Sequence, residues 1–121
     1  KAMLEAVYAR ETTNLADLCT DLITRLRDHY AIPTKLVRAS ELEATGSASE
    51  LLAAITAELG GDVYLSGPSG RNYLDESVFA ERGIALDYHS FTPTPYPQPH
   101  GDFAGGLSML DHLASGADPW W

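Results

Sequence analysis

The amino-acid sequence predicts an α/β fold in which a small parallel β-sheet is covered by helices on both faces. Two observations predict it: helix-like and strand-like segments alternate along the chain, and each link between strand-like segments is long enough for a helix. A parallel return needs a crossover of about a dozen residues, which is usually helical. We therefore expect a three-layer αβα arrangement of about three strands. Because so few strands leave exposed edges, we expect them to be part of a larger sheet.

Periodic apolar positions and capping residues define the predicted helices. They cover residues 14–30, 47–59, 75–82 and 107–114. The first has apolar side chains at every third or fourth position, Thr13 or Asn14 can cap its start, and Pro33 prevents its continuation. The second opens on Ser47 and Glu50, whose spacing is that of a capping box. The last is a short C-terminal helix.

Three short apolar segments are predicted to be strands. They are residues 35–38, 62–66 and 84–89. After the last of them, proline occupies every second position from Pro93 to Pro99, which enforces an extended segment without ladder hydrogen bonds. We call residues 93–99 the proline strap.

Charge and composition exclude several classes of protein. The 17 acidic and 8 basic side chains give a net charge of −9, whose field repels phosphate backbones and anionic lipid, so we expect no nucleic-acid and no membrane partner. No run of about 18 apolar residues is present to span a bilayer, and a single cysteine, Cys19, excludes an internal disulfide framework. A length of 121 residues is typical of one domain. These features favour a soluble, cytoplasmic protein.

The beginning of the sequence predicts that the chain is part of a longer protein. It starts at Lys1 rather than at methionine, and the apolar residues that follow, Leu4 and Val7 among them, already resemble the interior of a structural element. We therefore expect further residues of the same protein, or another chain, to complete the sheet.

The stretch YLSGPSGRNYLD, residues 64–75, is the main candidate for a ligand site. It leaves the carboxyl end of a predicted strand and enters a predicted helix, which is where open α/β sheets bind ligands. Gly67 and Gly70 can let the backbone approach a ligand, and Arg71 offers a positive charge. The spacing matches neither a P-loop, nor a dinucleotide fingerprint, nor a G-x-S-x-G motif. A turn whose Arg71 pairs with a surface acid is therefore equally consistent with the spacing.

Other constellations give weaker signals. Asp87 and His89 share a strand face by alternation, and residues 100–102 again place a histidine two positions from an aspartate. This spacing is generic, so we interpret these side chains as solvated edge residues and predict no metal site. Asp111 and His112 are adjacent on a predicted helix and diverge by about 100°, which prevents their direct pairing as a proton relay.

Taken together, the motifs resemble the WbqC-like family over nearly the whole chain. The segments in which the resemblance lies are Asn14-Leu15, residues 34–42 with Ala39-Ser40-Glu41-Leu42, residues 64–74, Tyr96-Pro97-Gln98, Phe103 and Leu107-Ser108-Met109-Leu110-Asp111. The family's opening segment, which is similar to Gln-Pro-x-Tyr-Leu-Pro, is not present. The resemblance therefore implies that residues 1–121 are the C-terminal part of a single WbqC-like domain, with the N-terminal half of the same protein as its partner.

The resemblance also implies a function and a set of site residues. It implies a bacterial transferase in O-antigen or other surface-polysaccharide biosynthesis, or in the biosynthesis of another metabolite, that moves an aminoacyl or acyl-type group to a sugar or amine. The implied ligand-binding residues are Ser40, Ser66, Gly67, Gly70, Arg71, Tyr73 and Gln98. Arg71 would hold an anionic group of a small-molecule substrate, and Asp111 would be catalytic by orienting or deprotonating the acceptor.

Two alternatives to this transferase remain open. One is a non-catalytic binding or scaffold half that docks on another protein. The other is a nucleotide-dependent, ligase-like enzyme. Residues 69–74 are also similar to the Ser-x-Arg-Asn-x-Leu segment of pantothenate synthetases, which favours an anion as the ligand of this loop. The sequence indicates no particular cofactor.

Overall fold

The computed structural model describes residues 2–116, and the chain divides into two compact units. One unit comprises Lys1–Leu36 with Pro93–Trp121, and the other comprises Val37–Thr92. We call them the first and the second unit. The helices and strands are α1 (Ala2–Tyr8), α2 (Leu15–His29), α3 (Ala48–Glu58), β1 (Val63–Ser66), α4 (Glu76–Ala80), β2 (Ala85–Tyr88) and α5 (Met109–Ala114), with 3₁₀ turns at Ala39–Glu41 and Pro68–Asn72.

The second unit is built on a two-stranded parallel sheet. β1 pairs with β2 in a register that runs from Val63 opposite Ala85 to Ser66 opposite Tyr88. The chain crosses from one strand to the other through α4, and both α3 and α4 pack against the sheet. The mixed α/β class predicted from the sequence is therefore confirmed.

The core of the second unit lies between the two helices and one face of this sheet. Its buried residues are Ala53 from α3, Phe79 from α4 and Ile84 just before β2. The rings of Tyr64 and Phe79 are 5.1 Å apart, centroid to centroid. Partly buried side chains that surround this core are Leu52, Tyr64, Leu74, Val78 and Leu86.

The predicted third strand and the three-layer arrangement are not confirmed. Residues 35–38 form neither helix nor strand, and the sheet in the part of the chain that the structure describes has two strands. A strand needs a partner and a surface that cover its apolar side chains, and Leu36 and Val37 remain exposed, without such a cover. On β1, the alternate residues Val63 and Leu65 are likewise exposed.

Helix α2 begins where the sequence predicts, whereas α3 begins in a different way. The Asn14 side chain accepts a hydrogen bond from the Ala16 amide at 2.9 Å, which caps α2. Ser47 makes no side-chain capping bond, so the predicted capping box is wrong. Its neighbour Ala48 has a φ of +46°, and this entry geometry differs from that of a capping box. The Ser49 hydroxyl instead accepts the Asp75 amide at 2.9 Å.

The first unit is mainly helical. α1, which the sequence patterns did not predict as a helix, packs on α2 and buries Val7. The C-terminal helix is confirmed as α5, which begins after Ser108, whose hydroxyl accepts the Leu110 amide at 3.2 Å. The proline strap forms neither helix nor strand. Among residues 2–116, no helix is both long enough and apolar enough to cross a lipid bilayer.

Candidate functional site

A cleft of about 360 Å³ lies in the second unit at the carboxyl ends of its two strands. It is lined by Pro68, Arg71, Tyr88, His89, Ser90 and Phe91. The backbone brings these segments together because the His89 amide donates to the Ser66 carbonyl at 2.7 Å, which continues the strand pairing by one residue beyond β2. The loop after β1 and the segment after β2 therefore face each other across the same edge of the sheet, the usual place for ligands in open α/β sheets.

Arg71 enters this cleft stacked on an aromatic ring. Its guanidinium carbon lies 3.9 Å from the centroid of the Tyr88 ring, a cation–π contact. The Tyr88 hydroxyl donates to Glu76 Oε1 at 3.2 Å, which fixes the ring from its other end. Desolvation, followed by this hydrogen bond to Glu76, raises the pKa of Tyr88, so its hydroxyl stays protonated and donating.

No acidic side chain pairs with Arg71 among residues 2–116. The ion pairs within these residues join Asp21 to Arg10 and Arg25, and Arg27 to Asp28, all in the first unit. The described residues therefore do not contain the alternative arrangement, a turn in which Arg71 pairs with a surface acid. The Tyr88 ring positions the guanidinium of Arg71, and the N–H donors of Arg71 have no carboxylate partner among residues 2–116.

His89 and Phe91 form a second aromatic pair on the wall of the cleft. Their rings are nearly parallel, with planes 24° apart and centroids 5.9 Å apart. Phe91 keeps 52% of its side chain exposed. We interpreted His89 from the sequence as a solvated edge residue. The signal that could have placed His89 in the cleft is its position directly after β2, because the ends of neighbouring parallel strands meet at one edge of the sheet.

The loop after β1 folds as a 3₁₀ turn, Pro68–Asn72, whose conformation depends on two buried residues. Gly70 and Ser66 are both buried, and the Ser66 hydroxyl donates to the Gly67 carbonyl at 3.1 Å. A β-carbon on Gly70 would collide with the Ser66 hydroxyl and would lie 2.9 Å from Leu74 Cδ1. A β-carbon on Gly67 would meet no atom within 4 Å. Gly70 and Ser66 therefore shape the loop rather than line the cleft.

The other predicted ligand residues of the second unit lie elsewhere. Tyr73 is 68% exposed and is not part of the cleft lining. Ser40 lies in the 3₁₀ turn Ala39–Glu41, and the predicted strand before it, residues 35–38, does not form in the described residues. Of the predicted residues in this unit, Arg71 is the one that lines the cleft.

Replacing Gly70 by alanine is expected to destabilise the second unit by about 1–3 kcal/mol, because the added methyl group overpacks a buried position. Gly67→Ala is the matched control, since its φ of −67° suits alanine and its β-carbon would lie in open space. Urea unfolding measures both variants. Equal unfolding midpoints for the two would show that the loop does not pack as described.

In the first unit, Asp111 joins the proline strap to α5. Asp111 Oδ2 accepts the Tyr96 hydroxyl at 2.6 Å and the Gln98 side-chain amide at 3.0 Å. Gln98 also accepts the Ala104 amide at 2.8 Å and donates to the Ala104 carbonyl at 3.2 Å. The hydrogen bond to Asp111 is the main cause that raises the pKa of Tyr96. The predicted residues Gln98 and Asp111 are therefore in direct contact.

A buried polar pair lies next to this contact. The Tyr30 hydroxyl and His112 Nδ1 are 2.9 Å apart, and both side chains are buried. The Tyr96 ring packs edge-on against the His112 ring, with centroids 4.9 Å apart. Burial raises the pKa of Tyr30 above its usual value. Asp111 and His112 thus have different partners, consistent with their predicted divergence on the helix.

The stability of the chain is expected to fall as the pH rises above about 10, the usual tyrosine pKa. Tyr30 has a raised pKa in the folded state, so the unfolded chain loses this proton first and the stabilisation is lost as the pH rises towards the folded-state pKa. Urea midpoints across the alkaline range measure the slope. Tyr30→Phe should flatten it, whereas an unchanged slope would contradict the role of Tyr30. Tyr8→Phe is the control because this tyrosine belongs to the same unit and is 64% exposed.

Among residues 2–116, no group of three or more histidine, cysteine, aspartate or glutamate side chains is placed to hold a metal ion.

Comparison with known proteins identifies the family of this chain. No solved structure matches it. The uncharacterized protein Rv1507c of Mycobacterium tuberculosis is 33% identical over 114 residues, which cover 91% of this chain and 48% of that protein. The chain thus spans about half the length of this curated relative. The sequence profile of the WbqC-like protein family matches residues 1–118. On this match over nearly its whole length, the chain belongs to the WbqC-like protein family.

Proposed function

We propose that this chain provides the anion-binding site of a group-transfer enzyme, and that Arg71 holds the anionic group of a small-molecule substrate in the cleft of the second unit. The observation that supports this most directly is the guanidinium of Arg71, which lines the cleft, stacks on Tyr88 and has no acidic partner among the described residues. A guanidinium binds carboxylate and phosphate groups through two parallel N–H donors.

The surroundings of Arg71 support an anion further. His89 and Ser90 line the same cleft and add polar groups that can donate hydrogen bonds to an anionic oxygen. The whole chain carries a net charge of −9, so its general field does not attract anions. An anion is therefore retained only where local donors outweigh this field, and the proposed place is this cleft.

The proposed reaction is transfer of an aminoacyl or acyl-type group to a sugar or amine in the biosynthesis of a surface polysaccharide or another bacterial metabolite. The acceptor nitrogen or oxygen forms a bond to the acyl carbon, the donor's leaving group departs with the electrons of the broken bond, and the acceptor proton passes to a base. Asp111 is the proposed base, because Tyr96 and Gln98 hold its carboxylate in a fixed orientation.

Thermal unfolding with a panel of candidate ligands tests the anion site. The panel contains inorganic phosphate, free amino acids, nucleotide sugars and neutral sugars. We expect anionic compounds to raise the unfolding midpoint and neutral sugars to leave it unchanged, since a ligand at 100 times its dissociation constant adds about 2.7 kcal/mol. If no anion raises the midpoint, the proposed site is wrong.

Transfer itself is tested on the full-length protein with an activated acyl donor and an amino sugar. Mass spectrometry is expected to find the acylated sugar, and Asp111→Asn is expected to slow its formation by about 10²- to 10⁴-fold, the usual contribution of a positioned base. Asp87→Asn, an exposed aspartate of β2, is the control. Equal rates for Asp111→Asn and the unmodified protein would rule out Asp111 as the base.

A further inference from the structure

We infer that the ligand group held by Arg71 is a carboxylate with a single negative charge rather than a phosphate, and that Glu76 makes the cleft select it. This inference rests on the proposed function, because it takes Arg71 as the anion site. It adds the chemical class of the ligand group, and a residue that determines the specificity of the site through charge rather than through contact with the ligand.

The cleft offers one permanent positive charge. Among the described residues that line it, Arg71 carries that charge and none is a lysine. A guanidinium presents two parallel N–H donors, which match the two oxygens of a carboxylate. A carboxylate and one guanidinium neutralise each other, whereas a phosphate monoester, with a charge of about −1.5 to −2 at pH 7, keeps an excess of negative charge.

The loop after β1 lacks backbone donors by which phosphates are usually bound. Phosphate sites of α/β folds use free N–H groups of a glycine-rich loop and of the helix that follows it. Here Pro68 has no N–H, and the Gly70 amide donates to the Gly67 carbonyl at 3.0 Å. At the start of α4, the Ser77 amide donates to the Asp75 side chain at 3.0 Å. These groups are therefore not available to a phosphate.

Glu76 places a negative charge one side chain away from the anion site. Its Oε1 accepts the Tyr88 hydroxyl at 3.2 Å, and the guanidinium of Arg71 lies over the ring of that tyrosine. Desolvation and the hydrogen bond to Glu76 raise the pKa of Tyr88; the charge of Glu76 raises it further and that of Arg71 lowers it, so both charges act on this hydroxyl. Within residues 2–116, Glu76 forms no ion pair with Arg71, so a ligand need not displace it.

Asp75 adds a second carboxylate at the start of α4. Hydrogen bonds from the hydroxyl and the amide of Ser77 lower its pKa, so it is ionised at neutral pH. The second charge of a phosphate would thus be attracted by one cation and repelled by two carboxylates, in a chain whose net charge is −9. One like charge about 6 Å away in water changes an affinity about 3-fold, so this balance favours a singly charged ligand group.

Nuclear magnetic resonance titration with three matched ligands tests the inference. Propionate, ethyl phosphate and propionamide share an ethyl group and differ in the group that Arg71 would meet. The titrations use one ionic strength and about pH 7.5, where ethyl phosphate is mostly doubly charged because the second pKa of a phosphate monoester is about 6. The Nε–H signal of Arg71, identified by its loss in Arg71→Ala, reports binding at the site. We expect propionate to bind about 3-fold more tightly than ethyl phosphate, and propionamide to leave the signal unchanged.

Two isosteric variants locate the selectivity on Glu76. Glu76→Gln removes the charge but keeps an oxygen that can accept the Tyr88 hydroxyl. The doubly charged phosphate gains more from this change than the carboxylate, so we expect the preference for propionate to fall from about 3-fold to about equal affinities. Asp62→Asn is the matched control, because it removes the charge of an exposed aspartate just before β1, at the end of the strands away from the cleft. It is expected to keep the preference.

The possible outcomes separate this inference from the proposed function. If the unmodified chain binds ethyl phosphate as tightly as propionate, or more tightly, the carboxylate is wrong and the anion site stands. A preference for propionate that persists in Glu76→Gln, or that Asp62→Asn abolishes as well, would overturn the role of Glu76. If neither anion shifts the Arg71 signal, the anion site is wrong and the inference fails with it.

Discussion

Replacing Phe79 by alanine is expected to lower the free energy of unfolding of the second unit by about 3–5 kcal/mol. Phe79 is fully buried between Ala53 of α3 and Ile84 before β2, and its ring lies against Tyr64 of β1. One side chain therefore contacts every layer of this core. Truncation removes its apolar contacts and leaves a cavity that so small a core can fill only in part.

The loss is large because α4 has no stability of its own. It contains five residues, far fewer than an isolated helix needs in water, so packing of Phe79 is what holds it. α4 also forms the crossover that brings β2 beside β1. We therefore expect Phe79→Ala to disturb the cleft as well, since the cleft lies where these two strands end.

Urea unfolding followed by circular dichroism measures this prediction. Tyr73→Ala is the matched control: it removes an aromatic side chain of the same unit that is 68% exposed, and its effect should stay within about 0.5 kcal/mol. Domains are usually stable by only about 5–15 kcal/mol, so Phe79→Ala could leave a substantial unfolded fraction. Equal stability of the two variants would mean that the core is not where the structure has it.

The elements that the sequence predicts correctly are those whose signals are local. α2 combines a periodic apolar pattern with an Asn14 cap, and both are properties of neighbouring residues. β1 and β2 are short apolar segments separated by a helical link, which suffices to predict parallel pairing. Residues 35–38 have a similar apolar pattern. A strand also needs a partner strand and a surface to cover, and the sequence of the segment itself specifies neither.

In the candidate site, too, local features could be predicted from the sequence, whereas contacts between distant residues could not. The position of the loop at the carboxyl end of β1 follows from the order of elements, and so does the place of Arg71. Its contact with Tyr88 depends on the register that puts Ser66 opposite Tyr88, and on Glu76 twelve residues before that tyrosine. Such contacts join residues that are distant along the chain. For this reason the sequence could suggest the charge but not the ring that positions it.

In the first unit, the sequence identifies two site residues but not the contact between them. The motifs single out Gln98 and Asp111, and the structure joins them directly together with Tyr96. The spacing of 13 residues between Gln98 and Asp111 gives no sign of this contact. It results from the fold of the strap, in which Gln98 also holds the backbone of Ala104.

Replacing Arg71 by alanine is expected to weaken the binding of an anionic ligand by about 1.5–3 kcal/mol, the usual value of a hydrogen bond to a charged group. This corresponds to roughly a 10- to 150-fold higher dissociation constant. The folded chain should lose little stability, because an exposed cation–π contact contributes only about 0.5–1 kcal/mol. The variant therefore separates ligand binding from folding.

Arg82→Ala is the matched control for charge. Arg82 also belongs to the second unit, is exposed, and donates to the Val78 carbonyl at 3.0 Å without lining the cleft. Both variants lower the positive charge of the chain by one, so a general electrostatic effect would appear equally in both. We expect the full loss of binding in Arg71→Ala and almost none in Arg82→Ala.

Two further substitutions test how Arg71 acts. Arg71→Lys keeps the charge but loses the planar fork, so we expect it to recover only part of the binding. Tyr88→Leu keeps the arginine but removes the ring on which it stacks, and binding should weaken because the guanidinium must then be ordered by the ligand itself. If Arg71→Ala lost stability and binding to the same extent, the loop would be a structural turn. A loss of binding without a loss of stability requires that Arg71 meets the ligand.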